Sequence, residues 1–118
     1  MLAAFSVAPD SASASDDGSV SDAVSAAVKV VKQSGLPYEL TSMFTTIEGE
    51  WDEVFSVIRQ ATDAVVAVSP RVSLVVKADI RPGYTNQLRD KVEACGAEAG
   101  RIAPAGLSPR WWRWCRRP

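Results

Sequence analysis

The chain has 118 residues, 47% hydrophobic and 23% charged, enough for one buried core and too well balanced for a disordered chain, so two independent domains are excluded. Its formal net charge of -1 is uneven: residues 101–118 hold five arginines and no acid, leaving eight basic against fourteen acidic side chains in the first hundred. An acidic body of this kind excludes binding of a nucleic-acid phosphate backbone.

Residues 2–8 form a short apolar run ended by Pro9, which reads as a strand; the chain start has no basic residue ahead of the run and does not read as a secretion signal. Residues 10–18 are rich in Ser, Ala, Asp and Gly and have loop chemistry. Val20, Val24, Ala27, Val28 and Val31 then recur at helical spacing, with Ser or Asp available as N-cap and Gly35 before Pro37 as a stop. Residues 38–42 and 45–48 are β-prone and close enough for a tight antiparallel hairpin. After Gly49, the acids Glu50, Asp52 and Glu53 suit a helix N-terminus, and Val54, Ile58, Ala61 and Val65 make one apolar stripe.

Pro70 breaks that helix. Residues 71–80 alternate Val72, Leu74, Val76, Ala78 and Ile80 with Ser73, Val75, Lys77 and Asp79, a strand whose first set is expected to pack against the helices. Leu88, Val92 and Cys95 mark a third helix over 85–97. No stretch nears the roughly 18 to 20 apolar residues of a membrane span.

The order βαββαβ plus one helix predicts an α+β, ferredoxin-like sandwich, with an antiparallel four-stranded sheet carrying helices on one face. The folded domain is expected over 1–97, with 98–118 a basic, Trp-rich tail that folds into nothing of its own. The other sheet face, with Ser6, Val75, Lys77 and Asp79, must be solvated or buried against a second subunit. Exposed Val75 favours a partner, with Val75, Lys77 and Asp79 as interface residues and a homodimer or homotetramer as the assembly.

Histidine is absent, and the two cysteines, Cys95 and Cys115, form no CxxC pattern. Zinc-type clusters and His-based catalytic pairs are thereby excluded; no metal site and no cofactor is expected, and a reduced, cytoplasmic setting is the simplest reading.

The segments MLAAFSVAP, VSDAV, VKQSGLPYELTSMFTTIEGEWDEV and PRVSLVVKADIRPG resemble the small thiamine-binding protein family, the YkoF-like group, over about residues 1–97 on typical domain lengths. The TTIEGEWDEV block is specific, because it joins strand, glycine turn and acidic helix start in a fixed order. The resemblance implies a ferredoxin-like fold, association through sheets, and binding of thiamine or its hydroxymethylpyrimidine moiety without catalysis. One departure stands out: Phe44 occupies a place where the family usually has glycine, and its ring either narrows the pocket or stacks on the ligand.

Thiamine offers an aminopyrimidine edge that needs donors and acceptors and a thiazolium cation that needs a carboxylate or an aromatic face. Thr46 and Glu48 share one side of their strand, Thr45 precedes them, and Ser6 is the polar residue of the first strand. Read alone, the threonines serve equally as β-branched strand residues, Glu48 as a solvated charge and Ser6 as a self-satisfied hydroxyl. With the resemblance, Ser6, Phe44, Thr45, Thr46 and Glu48 become the ligand-binding set. Ser19, Ser21 and Asp22 read chiefly as helix caps, with anion binding the lesser reading.

Glu48 and Glu50 lack a nucleophile or tuned base beside them, so catalysis is not expected. The tail PRWWRWCRRP has a composition that suits membranes or single strands but reads better as an extension without function. The function expected is a non-catalytic carrier, buffer or sensor for thiamine or its pyrimidine half. The alternative is a structural or regulatory protein-interaction module assembling through the open sheet face.

Overall fold

The computed structural model describes residues 1–10 and 20–101, with side chains described as far as residue 98. Most of the expected 10–18 loop, Ser19, and the tail with its Trp111, Trp112, Trp114 and Cys115 lie outside the described residues. The elements are β1 (Leu2–Pro9), α1 (Ser21–Gln33), β2 (Tyr38–Leu40), β3 (Thr45–Glu48), α2 (Trp51–Val66), β4 (Val72–Asp79) and α3 (Gln87–Arg101).

The strands form one sheet in the order β2-β3-β1-β4, every neighbouring pair antiparallel. This is the expected ferredoxin-like arrangement, with β1 and β3 central. Ala3, Phe5 and Val7 alternate inward from β1 and meet Ala27 and Val31 of α1 and Val54, Ile58, Ala61 and Val65 of α2 in one core. Each of these helix residues recurs at three- or four-residue spacing, which puts the apolar stripe of each helix against the sheet.

Local signals explain the ends of the elements. The Glu53 carboxylate accepts the Glu50 backbone N–H at 3.1 Å, half of a capping box that starts α2. At the end of α1 the Ser34 N–H donates to the carbonyls of Val30 and Val31, and Gly35 follows at φ +75, the left-handed conformation that releases the chain from the helix. Pro9 remains in β1 opposite Val72 because the β3 ladder stops at Phe5, so the side of β1 facing away from β4 has no strand partner there.

Three details differ from the sequence expectation, two of them element boundaries and one the packing of β4. β2 stops at Leu40 because Thr41 leaves the ladder to close the hairpin: its Oγ1 donates to the Phe44 carbonyl at 2.9 Å and accepts the Phe44 N–H at 3.2 Å. The inward set of β4 packs only in part. Val72 and Val76 lie against the core, while Leu74 is 41% exposed and Ile80 52%; β4 is an edge strand and the helix layer centres on β1. Helix α3 starts at Gln87 rather than 85, after Asn86 at φ 56, and runs past residue 97 to Arg101.

Candidate functional site

Register divides the expected ligand residues between two sheet faces. Thr45 stands opposite Phe5 and Leu40, in the row facing the helices, and is 9% exposed. Thr46 stands opposite Ala4 and Glu39 on the open face, with Lys77 on the far side of Ala4. Thr45 and Thr46 therefore cannot serve one ligand on one side of the sheet. Ser6, opposite Val75, is half-buried.

Glu48 shares the open side with Thr46, as their spacing requires, but its carboxylate is already engaged. Oε1 accepts the Gln87 N–H at 2.9 Å and Oε2 the Leu88 N–H at 3.2 Å. These are the first amides of α3, which lack partners within the helix and carry the positive end of its dipole. Glu48 thus docks α3 on the sheet. Gln87 and Leu88 of α3 become half-buried there; from Arg89 to Glu98 the helix is exposed, with Val92 65% open.

The expected interface residues stand on the open face, and one of them also has a partner within the chain. The Lys91 ammonium of α3 donates to the Asp79 carboxylate. That hydrogen bond and the Lys91 charge, helped by Lys77 and Arg81, hold the Asp79 carboxyl below its ordinary range. Val75 is 53% exposed and Lys77 is exposed as well.

A different part of the molecule offers a ligand-sized space. Where the hairpin turns, a cavity of ≈ 250 Å³ opens between α1, the later half of β1 and residues 40–45. Phe5, Phe44 and Thr45 line it from the sheet side, and Val24, Val28 and Ala27 from the helix. Thr41, Ser42 and Met43 form its rim at the turn, and Ser6 borders it through β1. Among the described residues, no charged side chain lines it. Phe44 and Thr45 thus meet at the cavity, whereas Ser6, paired with Val75 in the open-face row, stands with Thr46 and Glu48 on the other side of the sheet.

The sequence reading missed Val24, Val28, Thr41, Ser42 and Met43 as wall residues. A signal for two of them was present: Val20, Val24 and Val28 recur every fourth residue, beside the line of Ala27 and Val31 that forms the core. Being half-buried rather than buried, they mark a helix edge that packs against a space.

Chemically, the cavity can hold a flat, mostly apolar molecule between rings and valines and meet its polar edge with hydroxyls that both donate and accept. Among the described residues, no group of three or more His, Cys, Asp or Glu side chains is placed to hold a metal ion. No described helix is long and apolar enough to cross a membrane.

Residues 3–96 match the family described as thiamine-binding protein. A protein of Mycobacterium bovis known only as a member of the UPF0045 group is 46% identical over 93 residues, covering 78% of this chain and 87% of its own. The solved structure of a hypothetical protein from Methanocaldococcus jannaschii is similar with a TM-score of 0.71 at 30% identity, covering 80% of this chain and 94% of its own. A Thermotoga maritima protein provisionally assigned to thiamine biosynthesis or salvage has the same fold, with a TM-score of 0.64 at 20% identity, over 78% of this chain and 96% of its own. With the family match spanning nearly all of the described sheet and helices, the chain belongs to the thiamine-binding protein family.

Proposed function

We propose that the protein binds thiamine or its hydroxymethylpyrimidine half and performs no reaction on it, acting as a carrier, buffer or sensor. The observation that carries this reading is the coincidence of the family match over 3–96 with a cavity lined by phenyl rings and hydroxyls. The Ser42 and Thr45 hydroxyls meet the aminopyrimidine edge, and Phe44 presents an aromatic surface to the thiazolium, an attraction of about 0.5–2 kcal/mol in such settings. Glu48 has no part in binding, because its carboxylate caps α3.

The open sheet face, where Val75 is 53% exposed, takes a second copy of the chain in this reading. The exposed free thiol of Cys95 suits a reducing cytoplasm. The name of the family is that of a binding protein, and among the described residues the cavity wall carries no carboxylate, amine or thiol side chain.

Calorimetric titration with thiamine and with hydroxymethylpyrimidine tests the proposal. Binding of either is expected, weakened about tenfold by Thr45→Val, the equivalent of one lost hydrogen bond. Val28→Phe, which fills the cavity, should abolish it while thermal melting shows the fold intact. No heat with either compound would sink the reading.

A further inference from the structure

The cavity continues over the rim into a second, wider hollow of ≈ 530 Å³ on the outer side of α1. Val24, Val28, Leu40 and Thr41 line both, so the two adjoin along one wall. The outer hollow adds Ser21, Ser25, Lys29 and Lys32. These four recur at i, i+4, i+8 and i+11 along α1, so helical geometry sets them in one stripe beside the valines. Neither lysine makes an ion pair among the described residues, whose ion pairs join Arg59 to Asp63, Arg89 to Glu93 and Lys91 to Asp79.

The charge of the combined groove is informative. Among the described residues, no Asp or Glu lines either hollow, and the formal charges there are the two ammonium groups. Such a mouth repels a bare cation such as thiamine and attracts an anion. An ester phosphate carries about -1.5 to -2 charges near neutral pH and three strong acceptor oxygens, which two ammonium groups and flanking hydroxyls can satisfy with charge-assisted hydrogen bonds. The inner cavity alone, at ≈ 250 Å³, lies just below the roughly 300–1,000 Å³ of small-molecule sites, and the outer hollow supplies the missing room.

We infer that the ligand is a phosphate ester, its ring in the inner cavity and its phosphate held at the mouth by Lys29 and Lys32, because among the described residues the adjoining hollows join an uncharged ring-and-hydroxyl wall to two lysines that make no ion pair. This rests on the cavity being the ligand site proposed above. Thiamine monophosphate is the natural probe, since it differs from thiamine only in the group in question.

Calorimetric titrations of the full chain compare thiamine, thiamine monophosphate and inorganic phosphate at two salt concentrations. The wild-type protein is expected to bind the monophosphate about tenfold more tightly than thiamine, with the advantage shrinking as salt screens the exposed lysines. In Lys29→Ala/Lys32→Ala the two affinities should fall within about twofold of each other, with Lys29→Arg/Lys32→Arg keeping the preference. A control that removes two exposed positive charges elsewhere, Arg59→Ala/Arg71→Ala, should keep it as well. Equal affinities in the wild type, survival of the preference in the double alanine variant, or its loss in the control would each overturn the phosphate site while leaving the cavity reading standing. Absence of binding by thiamine and its monophosphate alike overturns both, and inorganic phosphate binding unaffected by the lysine substitutions assigns anion binding to another place.

Discussion

At the scale of single residues, Glu48 changes its meaning most. Its place two residues after Thr46 made it the natural carboxylate for a cationic ligand, yet it accepts two α3 amides from 39 and 40 residues away. Glu48→Ala should therefore cost about 0.5–2 kcal/mol, the range for a lost helix cap, and should free the first amides of α3 to hydrogen exchange. Ligand affinity should stay within about twofold, since a cap at the far end of β3 does not touch the cavity; a larger loss would return Glu48 to the binding set. Asp79 gives a second residue-scale prediction. Its folded carboxyl titrates below its ordinary range because Lys91 bonds and faces it, so the attachment it gives α3 is fully present above that range and is lost as pH falls through the lowered folded value. Lys91→Ala should move the Asp79 titration, followed by NMR, upward toward the ordinary carboxylate range. An unchanged titration would show that the ion pair does not persist in solution.

At the scale of elements, the helices that build the core were the most legible. Helix α2 carries its start signal in Glu50 and Glu53 and its packing in Val54, Ile58, Ala61 and Val65, and all of these act where the sequence puts them. Helix α1 likewise ends at Gly35, whose φ of +75 disfavours a Cβ whatever the space around it. Gly35→Ala should lower stability by about 1 kcal/mol, read from chemical denaturation, although nothing stands within 4 Å of the added carbon. Gly49 is constrained for a different reason: a Cβ there meets Leu36 at 3.2 Å and the Glu53 carboxylate at 3.3 Å. Its substitution by alanine should disturb the start of α2 as well as the strand end. The elements read less well were those whose ends a side chain sets. Thr41 shortens β2 by a local side-chain bond across the turn, and α3 takes its start from a carboxylate on β3. The second bond, from 39 residues away, has no signature in local composition.

At the scale of the whole molecule, two surfaces lack a cover among the described residues: the sheet face around Val75 and Lys77, and α3 from Arg89 to Glu98. Exposed apolar surface of this kind is expected to draw two copies together. Light scattering should give a dimer or tetramer, and Val75→Arg should lower the mass to that of one chain without lowering affinity for the ligand, because the cavity lies on the opposite side of the sheet. A monomeric wild type would leave the open face solvated and remove the assembly from the proposed function.

The sequence by itself determined the α+β order, the two core helices, the hairpin and the family, because hydrophobic period, turn residues and a contiguous motif are all local quantities. Which face each strand residue occupies also follows from alternation, and it already parts Thr45 from Thr46. Only the tertiary structure decided that Glu48 is occupied by α3 and that Phe44 and Thr45 meet Val24 and Val28 around a cavity. It alone set the outer stripe of α1, with Lys29 and Lys32, at the mouth of that cavity. Those outcomes depend on which elements come to lie against one another and how completely they fill the space between them, and packing of this kind is settled by contacts between residues distant in the chain.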